Sequence, residues 1–410
     1  LPNVPLPAMA TDALRGFNAS VSVKVGVFRS LTTMAPRAGH ISLAPVSFRN
    51  ILVLASLLVA CGVSIGQDPV TRPPALIGYY AGPGHDLDRK RIDRLTHLIW
   101  CFGHLDGDSM VVAPAQEKVI RKMVGFKRQN PSLKILLSLG GWGGCATCSE
   151  VFSRKEGRRK FAESVRQLLK RTWSDGIDLD WEYPAVQGPP GHPFAPEDRH
   201  HFTLLVQELR RVLGPTYEIS FAVGGTDACI VQGFEWDSVM TVVDRVHIMS
   251  YDLVHGYSKR TGHHTALYST KGQGVSADRA VQLLDSLGVP RRQVVIGAAF
   301  YARIWKDVPP KDSGLFQPGT FSHTISSSAV DTTITPAKGW TLLRDEKARA
   351  PYGYRPATKE FVTYDDAISV AAKARYVREQ GLGGIMFWQL VDDRPKEGLL
   401  DALYRALRTP

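Results

Sequence analysis

Asp175-Gly-Ile-Asp178-Leu-Asp180-Trp-Glu182-Tyr-Pro184 is a run in which acidic and apolar side chains alternate. A period of two is the mark of a strand, whose successive side chains point to opposite faces. Asp178, Asp180 and Glu182 therefore line one face, and Ile177, Leu179 and Trp181 the other. Asp175 has the wrong parity for the acidic file and reads as a turn-capping or supporting residue ahead of Gly176. Tyr183-Pro184 ends the strand, which leaves Glu182 at its C-terminal end.

The sequence on either side shows what those faces meet. From Ala75 onward, short β-rich runs alternate with amphipathic stretches, the pattern of βα units around a parallel sheet. The expected strands are Ala75 to Tyr80, Leu95 to Phe102, Lys134 to Leu139, Gly176 to Glu182, Glu218 to Val223, Arg245 to Ser250, Val294 to Phe300 and Gly384 to Leu390. Eight runs with room for helices between most of them predict an α/β fold, a closed TIM-type (β/α)8 barrel. Phe161, Val165, Leu168 and Leu169 give one intervening helix an apolar face, with Ser153 as its expected N-cap. The interval between strands seven and eight is too long for one helix and is rich in Pro, Gly, Ser, Thr and aromatics, so it predicts a small α+β insertion. The expected organisation is a leader over 1–61, a linker over 62–74, the barrel through its seventh strand over 75–302, the insertion over 303–362, and barrel completion over 363–410.

A parallel barrel strand has no solvated face, so the apolar set packs on the helices and the acidic set points into the barrel. Carboxylates about 6 to 7 Å apart along the strand repel one another and lose hydration, so they are not expected to be ionised together. A carboxylic acid that holds its proton near neutral pH is what general-acid chemistry requires. Glu182, nearest the mouth where barrel active sites lie, is the expected donor.

Asp175-x-x-Asp178-x-Asp180-x-Glu182 resembles the signature of family 18 glycoside hydrolases, the chitinase family. Ser138-Leu-Gly140-Gly141-Trp142, Met249-Ser-Tyr251-Asp252, Tyr301-Ala-Arg303 and Met386-Phe-Trp388 follow in the order that family shows. The resemblance implies hydrolysis of β-1,4-linked N-acetylglucosamine in chitin and chitooligosaccharides, without a cofactor, by a retaining mechanism in which the substrate's own acetamido group is the nucleophile. It makes Glu182 the acid and base, Asp180 and Asp178 its partners, and Tyr251 the hydrogen-bond donor to the acetyl oxygen. Substrate-binding roles are implied for Tyr79, Phe102, Trp142, Met249, Asp252, Tyr301, Arg303, Met386 and Trp388, the aromatics stacking on the apolar faces of sugars. Two features depart from the family pattern. Leu-Val-His-Gly leads from Asp252 to Tyr257 where many relatives carry a tryptophan, and the loop Ala81-Gly-Pro-Gly-His85 lacks an expected aromatic. Two rival readings share the carboxylate file: an endo-β-N-acetylglucosaminidase acting on glycoprotein glycans, and a non-catalytic chitin-binding lectin. The retained Glu182, Trp142 and the insertion favour the chitinase.

The composition is that of a globular protein, 44% hydrophobic and 22% charged. The net charge of +11 is partly carried by the leader, where Arg15, Lys24, Arg29, Arg37 and Arg49 face Asp12 alone. Elsewhere Lys and Arg are scattered and no nucleic-acid motif interrupts them. Ile51 to Ala60 is uncharged, follows those basic residues and ends in Leu-Val-Ala-Cys61, which predicts an export signal, with Met34 as the expected start. That ending resembles a bacterial lipoprotein processing site and makes Cys61 a candidate for lipidation and membrane anchoring. The expectation is an exported monomer, either a cell-envelope lipoprotein or a secreted protein. The histidine pairs His200-His201 and His263-His264 have diverging rings, so no metal site is expected.

Five cysteines are too few for a disulfide scaffold. Cys145 and Cys148 form an isolated C-x-x-C, which an exported protein could oxidise or leave as two free thiols. Thiol counting in denaturant without reductant separates these states. If the pair is oxidised, two of the five cysteines fail to react; reaction of all five removes the disulfide.

Overall fold

The computed structural model describes residues 73–409. The leader, the export signal, Cys61 and the linker up to residue 72 lie outside the described residues. Eight parallel strands close into a ring: β1 (Ala75–Tyr80), β2 (His97–Asp106), β4 (Lys134–Gly140), β5 (Gly176–Asp180), β6 (Glu218–Gly224), β7 (Arg245–Met249), β8 (Val294–Ala299) and β14 (Gly384–Trp388), with β14 pairing β1 and β1 pairing β2. β3 (Ser109–Val111) forms a hairpin on the extended end of β2. The protein is thus a TIM-type (β/α)8 barrel.

Alternation along each strand sorts the side chains into two compartments. Outward residues such as Ile177, Leu179 and Trp181 join the helices in one large core. Inward residues such as Ile77, Tyr79, Ile99, Leu136, Ala222, Val295 and Met386 fill the barrel. The helix Lys155–Thr172 buries Phe161, Val165, Leu168 and Leu169 as expected. Ser153 does not cap it. That serine ends a separate short helix, Cys148–Ser153, and its hydroxyl donates back to the Glu150 carbonyl at 2.7 Å, while extended Arg154 takes the N-cap position. Cys145 and Cys148 are joined as a disulfide in the loop after β4. Asp175 supports the sheet: its carboxylate accepts from Lys127 Nζ at 2.7 Å and from the Ile135 amide at 2.8 Å, tying the start of β4 to that of β5.

The interval between β8 and β14 holds an antiparallel sheet of β9 (Tyr301–Lys306), β10 (Thr320–Ser326), β11 (Thr341–Asp345), β12 (Ala350–Arg355) and β13 (Glu360–Thr363). Only Phe300 separates β8 from β9, so the sheet begins two residues earlier than expected and carries Tyr301 and Arg303 on its first strand. It has its own core around Trp305, Leu315, Tyr354 and Phe361. A buried ion pair fastens the segment after β13 to the barrel: Lys373 Nζ donates to Asp365 Oδ2 at 2.6 Å, and the same oxygen accepts from the Ala299 amide at 3.0 Å.

The opposite end of the barrel is closed by charge. Glu218 opens β6 and is 3% exposed at its side chain; it meets Arg245 at 2.9 Å, Lys134 at 2.6 Å and His97 at 3.2 Å, each the first residue of its own strand. Burial alone would raise the Glu218 carboxyl, but His97, Arg245 and Lys134 together hold it far below the ordinary carboxylate value. A lowered folded-state value means the stabilisation is present above the unfolded value, near 4.3 by ordinary peptides, and fades as acid titrates the folded group. Glu218→Gln is expected to lower the unfolding free energy at pH 7 by about 2 kcal/mol, because the buried acceptor loses its charge-assisted bonds from Arg245, Lys134 and His97. Urea denaturation across pH 3 to 7 checks both parts: the wild type should lose its advantage over the variant as pH falls.

Candidate active site

The three acids descend from the mouth into the barrel along β5. Asp178, innermost and 0% exposed, accepts from Tyr79 Oη at 3.0 Å, Ser138 Oγ at 2.8 Å and Ser220 Oγ at 2.7 Å. Burial raises its carboxyl and these three donors oppose that rise. Tyr79 Oη also lies 2.8 Å from His247 Nδ1. A hydroxyl has one proton; with that proton on Asp178, the imidazole Nδ1–H must donate to the tyrosine. Burial keeps His247 neutral, lowering it to about 3, in agreement with that tautomer.

Asp180 stands between its neighbours, buried, with Oδ1 lacking a hydrogen-bond partner. Burial pushes its carboxyl well up, and the charges of Glu182 and Asp178 push it further. Glu182 follows just past the end of β5 and is 7% exposed. Burial lifts it to about 7, with a hydrogen bond from Tyr183 opposing and the charge of Asp252 adding. Among the described residues no Lys or Arg pairs with the file, so nothing of that kind offsets the burial that raises all three carboxyls.

Tyr251 continues the inward face of β7. Its hydroxyl reaches Met386 Sδ at 3.8 Å, and its ring lies so close to β8 that a Cβ on Gly297 would come within 2.8 Å of it. Tyr79, Met249 and Met386 form the apolar layer beneath. Above them Trp388 is half-buried, stacked on Phe102 with centroids 5.5 Å apart and 18° between planes. The turn after β4 makes room for this stack: Gly141 has φ +79°, and a Cβ there would strike the Phe102 ring at 2.6 Å.

Trp142, the next residue, is 54% exposed and forms a further wall, meeting Tyr183 at 6.4 Å and Tyr257 at 6.5 Å between centroids. Tyr257 thus brings an exposed ring to the wall despite the missing tryptophan. The insertion supplies the third side. Asp252 accepts from Tyr301 Oη at 2.6 Å and from both Nε and Nη2 of Arg303, and His264 Nδ1 lies 3.5 Å away. Although burial raises the Asp252 carboxyl, His264 and Arg303 hold it well below the ordinary value.

Of the residues expected at the site, Tyr79, Phe102, Met249, Tyr251, Met386 and Trp388 share one cluster inside the barrel, and Asp252, Tyr301 and Arg303 are joined to one another by hydrogen bonds. His247, Ser220, Tyr183 and His264 were not singled out from the sequence. His247 shares the inward parity of Met249 and Tyr251, which is a readable signal; His264 reaches Asp252 only through tertiary folding. Among the described residues no group of three His, Cys, Asp or Glu is arranged to hold a metal ion.

Comparison with known proteins places this geometry. Chitinase A1 of Niallia circulans is 32% identical over 302 residues, which cover 68% of this chain but 43% of that protein. The solved structure of a family 18 N-acetylglucosaminidase from Paenibacillus barengoltzii superposes with a TM-score of 0.75 at 36% identity, covering 81% of this chain and 99% of that one. A cell-surface-expressed multi-modular chitinase of another Paenibacillus superposes with a TM-score of 0.76 at 29% identity, covering 82% of this chain and 43% of that one. This chain thus spans less than half of two of these relatives. The model of the family described as Glycosyl hydrolases family 18 matches residues 75–393, and the chain belongs to that family.

Proposed function

We propose that the protein is a glycoside hydrolase that cleaves β-1,4-linked N-acetylglucosamine in chitin or its oligosaccharides, with retention of configuration. The observation that carries this reading is the pairing of Glu182, lifted to about 7, with a neighbour whose Oδ1 is buried and has no partner. The first is a proton donor near neutral pH; the second is an acceptor suited to an amide N–H. Asp252 is occupied by Arg303 and Tyr301, so it does not supply a carboxylate nucleophile.

The chemistry follows from those atoms. Glu182 gives its proton to the glycosidic oxygen as the C1–O bond breaks, and the acetamido carbonyl oxygen of the same sugar bonds to C1. Asp180 accepts the acetamido N–H and stabilises the positive charge of the resulting oxazolinium, while Tyr251 donates to the acetyl oxygen. Water then adds to C1, the C1–O bond to the acetamido group breaks, and Glu182 carboxylate takes the proton released. Asp178 holds Asp180 in place from below. Trp388 floors the sugar bearing C1, and Trp142 with Tyr257 stacks the departing sugars. Similarity to a chitinase and to an N-acetylglucosaminidase supports this substrate class, and a cell-surface neighbour fits the expected export. Lipid anchoring through Cys61 and a monomeric state complete the proposal.

Glu182→Gln is expected to bind N-acetylglucosamine oligomers and lose roughly 10²–10⁴-fold in kcat; turnover of the hexamer beside a binding titration checks it, and unchanged turnover refutes the assignment. In the wild type the donor is lost as pH rises, so kcat/KM should fall with an alkaline limb near pH 7. Asp178→Ala leaves three buried hydroxyl donors without their acceptor and should cost about 3 kcal/mol of stability, read by chemical denaturation, together with a loss of kcat.

A further inference from the structure

Trp142 reaches the catalytic end of β5 through Tyr183, the residue after Glu182, at 6.4 Å between ring centroids. An exposed indole binds a sugar well only if the backbone beneath it is already fixed, since a loose loop must be ordered at each binding event. Little in the loop's own packing fixes it. Of residues 142–147 only Cys145 is buried; Trp142, Gly143, Ala146 and Thr147 are exposed and Gly144 is half-buried. A Cβ on Gly143 would meet nothing within 4 Å, and glycine loses more freedom on being held than any other residue. Backbone bonds from the Gly144 amide to Gly141 at 2.8 Å and from the Cys148 amide to Cys145 at 3.0 Å stay within the loop.

Two attachments hold Trp142 from either side, and both lead to the catalytic strand. On the entering side the Gly141 amide donates to the Asp180 carbonyl at 2.9 Å. On the returning side Cys145 is bonded to Cys148, the first residue of the helix Cys148–Ser153. That helix is fixed behind β5: Phe152 is buried with its ring 5.5 Å from that of Trp181, and Ser149 Oγ donates to Asp198 Oδ1 at 2.9 Å. Trp181 stands between Asp180 and Glu182. The indole is therefore slung between a backbone bond to one acid of the file and a covalent bond to a helix packed on that acid's neighbour.

We propose that the Cys145–Cys148 bond positions Trp142 and thereby sets how firmly sugars are held beyond the cleavage point. The proposal rests on the hydrolase reading above and adds to it a redox dependence of the response to chain length. A dithiol opens the bond by exchange: its two sulfurs join as a disulfide, two electrons and two protons pass to Cys145 and Cys148, and both end as thiols. The acid file keeps its surroundings, because both cysteines belong to the outer core and not to the barrel interior. The freed loop must then be ordered by each sugar chain that stacks on Trp142, and the loss falls on binding.

The test compares N-acetylglucosamine hexamer with the β-glycosyl fluorides of N-acetylglucosamine and of its disaccharide, whose leaving group places no sugar beyond the cleavage point. With Cys145→Ser and Cys148→Ser combined, KM for the hexamer should rise about three- to tenfold with kcat within about twofold, and the ratio of kcat/KM for hexamer to that for the better fluoride should fall by a similar factor. In a Trp142→Ala background the same double replacement should move the hexamer KM no further. Treating the unmodified protein with dithiothreitol, with thiols counted by alkylation, should reproduce the rise, and reoxidation should reverse it; this arm carries the test if the serine variant does not fold. An equal loss on hexamer and fluoride, or an undiminished effect in the Trp142→Ala background, would show a merely structural bond and overturn the proposal. So would an unchanged hexamer KM once the bond is open, or alkylation of both cysteines in untreated protein. In each of these cases the hydrolase reading stands. Wild-type protein that cleaves neither the hexamer nor the fluorides would overturn that reading and the proposal with it.

Discussion

Three carboxyl groups lie in single file on a barrel strand that has no side turned to water. Because every second residue of β5 points inward, the acids cannot escape to solvent without moving Ile177, Leu179 and Trp181 out of the outer core. Their charges must therefore be suppressed or shared. The rest of the interior answers that constraint. Tyr79, Ser138 and Ser220 satisfy Asp178, His247 orients Tyr79, and an apolar layer of Met249 and Met386 keeps the dielectric low above. The raised carboxyl of Glu182 thus depends on what surrounds it, and changing that lining alters the acid without touching it.

Charge is handled in opposite ways at the two ends of the barrel. At the closed end Glu218 is surrounded by cations and driven to ionise; at the mouth Glu182 lacks a cation and is driven to keep its proton. The two glutamates are both nearly buried, so burial alone does not distinguish them. Partners do: one is committed to holding the sheet together and the other is left able to exchange a proton.

The sequence was most readable where local patterns coincide with the fold. Parity along Asp178, Asp180 and Glu182 gave both the strand and its inward face, and the apolar spacing of Phe161 to Leu169 gave the helix behind it. β1 falls where expected and all but one of the other strands start as expected, but their C-terminal ends moved by one to four residues because pairing, not composition, decides where a ladder stops: β2 runs on to Asp106 since it pairs with β3. Ser153 has the chemistry of a cap, but its hydroxyl was claimed by the preceding turn. Contacts between distant segments left little local trace. His264 meets Asp252, Lys90 meets Val391 and Ser327 meets Asp392 only once the insertion and the β1 loop are folded onto the barrel.

The passage from β8 into β9 through Phe300 alone makes the insertion a direct outgrowth of the barrel sheet. The lobe is pinned again at its return by Lys373 and Asp365, and it presents Tyr301 and Arg303 to a barrel aspartate. It is consequently a poor unit for exchange by recombination. A lobe grafted from a relative would have to bring partners for the Asp252 carboxylate and for the backbone carbonyl of residue 392 at the same time.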